Sequence, residues 1–178
     1  ILRSPFAHAK IESIDLEEAL ELPGVVAIAT GEDALKWTTP PMTMPEGWGD
    51  LPLAAHKVRF VGEPVAAVAA TSRYIAEDAL ELIDIDYEPL EVVSDPFEAI
   101  EGEEGPLVFE ERGNNIMLQR TFTWGEVDDA FAQADHVIEH KFRWNRMGAN
   151  PTETFGCVTE WNPRSLDMTI RASVQAPN

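Results

Sequence analysis

Hydrophobic and polar positions alternate from Ala9 to Ile14, as they do in a strand with one buried face. Asp15 then stands three residues before Glu18, a capping-box spacing, and Leu16, Ala19 and Leu20 supply the apolar face of a short helix. Pro23-Gly24 closes that helix, because proline cannot continue it and glycine accepts left-handed geometry. Val25 to Thr30 is apolar and β-branched enough for a buried strand. Between residues 31 and 57 the periodicity lapses. Thr39-Pro40-Pro41 and Met44-Pro45-Glu46-Gly47-Trp48-Gly49 predict an irregular loop, with Met42, Met44 and Trp48 either packed or serving an interface.

Val58 to Leu90 is the most ordered stretch and predicts strand, tight turn, strand, helix and strand in one run. Gly62 gives the turn its backbone freedom, and Pro64 restricts Glu63 to extended geometry before the next strand. Val65 to Ala70 is uniformly small and apolar, which predicts a strand covered on both faces. Ser72 is placed to cap a helix whose Ile75, Ala76, Ala79, Leu80 and Ile83 fall at helical spacing. Asp84 to Glu88 alternates strictly and returns as a strand. Glu63 sits in the tight turn, where it looks first like a catalytic candidate and then, with so little polar chemistry around it, like a structural turn residue.

Residues 91–124 read as a linking region, with an acidic turn at Glu101-Gly102-Glu103-Glu104-Gly105-Pro106. The domain boundary is expected between about 100 and 123. Beyond it, Gly125 to Ala134 predicts a short helix with Val127, Ala130, Phe131 and Ala134 on one face. His136 to Trp144 alternates like a strand. Phe155 to Trp161 and Leu166 to Val174 predict two strands joined by a hairpin turn at Asn162-Pro163-Arg164-Ser165. The expected fold class is therefore α+β. The chain begins at Ile1 rather than Met and stops directly after a strand, as a processed chain or a piece of a longer protein would.

Charge narrows the partners. The chain carries 32 acidic and 13 basic residues, a net charge of -19. No Lys or Arg occurs between Arg73 and Arg112. Such a balance disfavours nucleic-acid phosphates and anionic membranes. The longest apolar run, Val65 to Ala70, falls far short of the roughly 20 residues of a membrane span. A single cysteine, Cys157, excludes an intrachain disulfide and a cysteine cluster for zinc or iron–sulfur ligation. That cysteine usage fits a reducing compartment, and a cytoplasmic location is expected.

Candidate chemistry is sparse. His136 and His140 share a strand face but stand about 13 Å apart, too far to chelate one metal. Glu153, after Asn150-Pro151-Thr152, could act as a general base or as a structural acceptor for backbone N–H groups. Cys157 lies in an apolar strand, where a buried, inert thiol is the default over a nucleophile. Gln175 ends a strand, a place where exposed amides and binding groups are both common. No nucleophile elbow, dinucleotide fingerprint or phosphate-binding loop is present.

Five segments nevertheless occur together in order: Ser4 to Ile11, Leu22 to Ala27, Val61 to Ala66, Ala79 to Ile83, and Asp86 to Leu90. With them the chain resembles the N-terminal part of the large, molybdopterin-binding subunit of molybdenum hydroxylases, the family of xanthine dehydrogenase, aldehyde oxidase and carbon monoxide dehydrogenase. Residues 1–105 are similar to its a/b hammerhead domain, 106–122 to a linker, and 123–178 to the beginning of the molybdopterin-binding domain. Gly125 to Phe131, Pro151 to Thr154 and Val174 to Pro177 mark the second part.

The resemblance implies oxidation of an aldehyde, an N-heterocycle or carbon monoxide with water as oxygen source. It also implies iron–sulfur clusters and FAD on partner domains or subunits. By resemblance Gln175 is a cofactor-binding residue that hydrogen-bonds an oxygen ligand of molybdenum, and Glu153 matches a glutamate near the site entrance. Some relatives carry His where Asn150 stands. The family's glycine-rich cofactor loop and general-base glutamate fall beyond Asn178, so no catalytic residue is expected within this chain and no activity from it alone. The alternative is a non-catalytic assembly or interaction module with a hammerhead fold, using the acidic stretch from Asp84 to Glu111.

Overall fold

A computed structural model describes residues 1–39, 51–101, 105–145, 147, 148 and 150–174. The expected Met42, Met44 and Trp48 cluster, and Gln175, lie outside the described residues. The chain divides into two compact units, Ile1–Phe122 and Thr123–Asn178.

The first unit is built on two three-stranded antiparallel sheets. Strands β1 (Leu2–Arg3), β2 (Ala9–Asp15) and β3 (Val25–Thr30) come first, with helix α1 (Glu17–Glu21) between the last two. Helix α2 (Gly31–Trp37), β4 (Lys57–Val58), β5 (Pro64–Ala70), α3 (Arg73–Glu81), β6 (Asp84–Pro89) and α4 (Pro96–Glu101) follow. One sheet has the order β1-β5-β3 and the other β4-β2-β6. Consecutive strands of the 58–90 segment therefore alternate between sheets: β4 and β6 join one, β5 the other.

Two small cores result. Ala9, Ala54, Val58 and Val65 are buried together, with Phe6, Ile11, Ile14, Ile85 and Tyr87 packed around them. Ala19, Ala66, Ala79 and Ile83 form the second, where alanines on strand and helix allow α3 to approach β5 closely. Apolar residues of β2 and β6 thus face inward, while Lys10, Glu12, Asp84, Asp86 and Glu88 stay exposed.

Local chemistry explains most boundaries. Ser72 Oγ accepts from the Ile75 N–H at 3.3 Å and starts α3. Glu63 N–H donates to Phe60 O at 3.2 Å across a turn whose Gly62 has φ +90°. The expected capping box at Asp15 and Glu18 does not form. Leu16 is the N-cap without a side-chain cap, and Asp15 Oδ1 instead accepts from Glu17 N–H at 2.9 Å. The capping box that does form is at Thr30 and Asp33, and it starts α2 inside the stretch expected to be irregular. Within the expected linking region, Asp95 Oδ1 accepts from Phe97 N–H at 2.8 Å and starts α4.

The second unit holds α5 (Val127–Gln133) and the hairpin β7 (Cys157–Asn162) and β8 (Asp167–Ala172). The hairpin is in register from Cys157↔Ala172 to Asn162↔Asp167. Asn162 Oδ1 accepts from Arg164 N–H at 3.0 Å, and Leu166 closes the turn at φ +58°. The alternating run from His136 to Trp144 is not a strand, because it has no hydrogen-bonded partner among the described residues. Its alternation survives locally: the His140 and Phe142 rings meet edge-on at 4.8 Å.

Candidate functional site

The polar chemistry of the first unit gathers where residues 105–116 cross β4 and the turn after it. Lys57, on β4, keeps only 10% of its side chain exposed and pairs with Glu110. That ammonium holds the Glu110 carboxyl below its ordinary value, by hydrogen bonding first, with burial opposing. Arg59 donates from Nε to Val108 O at 3.3 Å, and its guanidinium lies 4.1 Å from the centre of the Phe109 ring. Asn115 ties the crossing segment to itself, accepting from Val108 N–H at 2.9 Å and donating to Pro106 O at 3.0 Å. A cavity of about 160 Å³ beside this crossing is lined by Leu35, Ala54, Lys57, Arg59, Glu63 and Phe109 among others.

Glu63 belongs to that framework. It is 4% exposed, and its carboxylate accepts the Arg59 N–H at 2.5 Å, bracing the turn from within. A carboxylate so placed is a structural acceptor. His8 is also buried, and its Nδ1 lies 2.6 Å from Glu91 O. A carbonyl only accepts, so the proton is assigned to Nδ1. Its Nε2 is buried without a partner among the described residues. Nearby, burial pushes the Tyr87 phenol above its ordinary value, with Ser4 opposing, and the Tyr87 ring packs 5.0 Å from Phe6.

The expected site residues are in the second unit. Glu153 is fully outside the hairpin, exposed, with no ion pair or hydrogen bond among the described residues. Cys157 is exposed, not buried, because β7 has all its residues at the surface of this unit. Strand β8 ends at Ala172, two residues before the last described position. Pairing continues past it, with Ser173 N–H donating to Gly156 O at 3.1 Å. The sequence did not single out Lys57, Arg59 and Glu110. Only the fold brings β4 and the 110–112 turn together, and no spacing could have signalled it.

The chain is acidic and α+β, with a buried polar framework in its first unit and an exposed hairpin in its second. Residues 1–91 match the aldehyde oxidase and xanthine dehydrogenase a/b hammerhead domain, and residues 108–178 match the molybdopterin cofactor-binding domain. The chain belongs to the aldehyde oxidase and xanthine dehydrogenase family of molybdenum hydroxylases.

The nicotine 6-hydroxylase large subunit of Paenarthrobacter nicotinovorans is 37% identical over 99% of this chain and 22% of its own length. The carbon monoxide dehydrogenase large chain of Afipia carboxidovorans is 36% identical over 99% of this chain and 23% of its own. The crystal structure of quinoline 2-oxidoreductase from Pseudomonas putida 86 superposes with a TM-score of 0.83 at 35% identity, over 99% of this chain and 23% of that one. The chain thus spans between a fifth and a quarter of the length of the relatives it matches.

No group of three or more His, Cys, Asp or Glu side chains among the described residues could hold a metal ion. No helix among them is long and apolar enough to cross a membrane.

Proposed function

We propose that this chain is the N-terminal part of a molybdenum-dependent hydroxylase or dehydrogenase large subunit. The reaction is oxidation of an aldehyde, an N-heterocycle or carbon monoxide, with water as the oxygen source. The observation that carries this reading is the ordered match of both segments, hammerhead then molybdopterin-binding, at 36–37% identity across 99% of the chain. When bound, the molybdenum cofactor supplies the two-electron oxidation. Gln175 would help hold that cofactor by donating its amide N–H to one of its oxygens. Glu153 stands near the site entrance, a reading supported by its exposure and by its having no ion pair or hydrogen bond among the described residues.

In this reading residues 1–105 are the hammerhead domain, 106–122 the linker and 123–178 the beginning of the cofactor-binding domain. Iron–sulfur and FAD-bearing subunits accept the electrons, in the cytoplasm. The subunit wording of the relatives' names supports partners of that kind, one being subunit gamma of a dehydrogenase complex.

The test is isolation of the native complex that contains this chain, with molybdenum analysis and turnover of aldehydes, N-heterocycles and carbon monoxide. Stoichiometric molybdenum with turnover of one substrate class is expected, and none from the 178-residue chain alone. A molybdenum-free native complex would overturn the reading in favour of an assembly module.

A further inference from the structure

Strand β5 carries a conflict between its sequence and its surroundings. Its run Val65-Ala66-Ala67-Val68-Ala69-Ala70 is apolar at every position, the pattern of a strand buried on both faces. Only Val65 and Ala66 are buried, and Ala69 is exposed. The pairing with β3 shows which face is open. Ile28↔Val68 and Thr30↔Ala66 alternate with Ala27↔Ala69 and Ala29↔Ala67. Ile28, Val68 and Ala66 point into the core beneath α3. The two alanine pairs therefore point the other way. On that side Val65 is covered by Ala54 and Val58, but Ala29 and Ala67 are half-buried and Ala27 and Ala69 are exposed. The neighbouring Val26, at the bulge where Val25↔Ala70 shifts to Ala27↔Ala69, is 70% exposed.

The contrast with the other sheet is informative. Its outward face is lined by Lys10, Glu12, Asp84, Asp86 and Glu88, which are suited to water. Strands β3 and β5 carry no charged side chain, and the charge this sheet does carry is Arg3 on its edge strand β1. The side chains of the open β3–β5 face are mostly alanine, which lets a neighbouring backbone come close.

We infer that the Ala27–Ala29–Ala67–Ala69 face is an interior face of the complete large subunit, covered by an apolar segment of that same polypeptide outside these 178 residues. Two observations favour that occupant over a separate subunit or a second copy. In the matched relatives the corresponding part makes up 22–23% of one polypeptide, so in them most of the chain is available to cover it. The face also continues directly into the core formed by Ala54, Val58 and Val65, as an extension of one domain interior would. The inference rests on the reading of this chain as part of a longer large subunit.

The test places a thiol on the open face: Ala69→Cys in a Cys157→Ser background, labelled with a small maleimide and read at residue 69 by peptide mass spectrometry. The chain alone and the complete large subunit are compared, the latter before and after its partner subunits are added. Rapid labelling in the chain alone is expected, with at least 100-fold slowing in the complete large subunit by itself. Equal rates in both would overturn the inference, as would slow labelling in the dilute chain alone. Slowing that appears only when partner subunits are added would overturn it too, as would slowing in the chain alone that rises with its concentration, the sign of a second copy. Molybdenum content of the same large-subunit preparation reports separately on the functional reading, so the failure of one is distinguishable from the failure of the other.

Discussion

The guanidinium of Arg59 lies 4.1 Å from the centre of the Phe109 ring, across a sequence separation that only the fold closes. With the bond to Val108 O, it fastens the 105–116 segment to the turn after β4 within the first unit.

Arg59→Lys is expected to weaken that fastening, because an ammonium cannot stack its plane on the ring or keep the same fork geometry. The loss is on the order of 1 kcal/mol. Limited proteolysis should detect it as faster cleavage between residues 105 and 116, with little change elsewhere. Unchanged cleavage would show that Asn115 and Lys57 suffice.

Acid should loosen the same crossing through Glu110. Its folded carboxyl titrates below the ordinary 4.5, held down first by the hydrogen bond from Lys57. A depressed carboxylate stabilises the fold above its ordinary range, and that contribution disappears as pH falls through the lowered folded value. The effect is shallow, since Glu110 is 60% exposed and solvent screens the pair. Thermal unfolding followed from about pH 6 to about pH 3 should show a smaller acid-side decline for Glu110→Gln than for the native chain.

Gly31→Ala should be severely destabilising for reasons of space alone. A Cβ there would stand 2.2 Å from Ala54 O and 2.2 Å from Ala55 Cα, both backbone atoms that cannot swing aside. A loss of about 3 kcal/mol is expected. Gly62→Ala is the useful comparison: φ is +90° but nothing lies within 4 Å of the new carbon. Its cost should be nearer 1 kcal/mol, from backbone conformation only. Chemical denaturation of both variants separates crowding from conformation.

In the complete, cofactor-loaded enzyme, Gln175→Glu should lower kcat by on the order of 100-fold, the usual cost of losing one donor aimed at a reacting oxygen. Molybdenum content should stay close to native. Equal kcat for the two enzymes would remove Gln175 from the site.

The elements legible in the sequence were those whose signals are local. Ser72 caps α3 through a residue three positions away, and the Asn162 turn is closed by its own side chain. The hammerhead class was legible from ordered motifs. The expected box at Asp15–Glu18 fails because α1 takes Leu16, in right-handed helical geometry, as its N-cap, whereas Thr30, extended at φ −121°, is placed to box with Asp33 at the start of α2. His136 to Trp144 has the alternation of a strand, yet a strand exists only with a partner, and periodicity does not say whether one is present. Cys157 looked buried because its neighbours are apolar, whereas exposure depends on what covers β7. The Lys57–Glu110 and Arg59–Phe109 contacts were not legible, since each joins residues about 50 positions apart.

The alternation of strands between two sheets also dictates an order of events during synthesis. Ile11 pairs with Tyr87 and Leu2 with Ala66, so β1 and β2 leave the ribosome long before their partners exist. The first sheet can close once β5 emerges, but the second must wait for Asp84–Pro89. Until then the apolar side of β2, Ile11 and Ile14, has little to rest against. The apolar side of β2 therefore stays open until β6 has emerged, an interval in which the nascent chain is prone to aggregate.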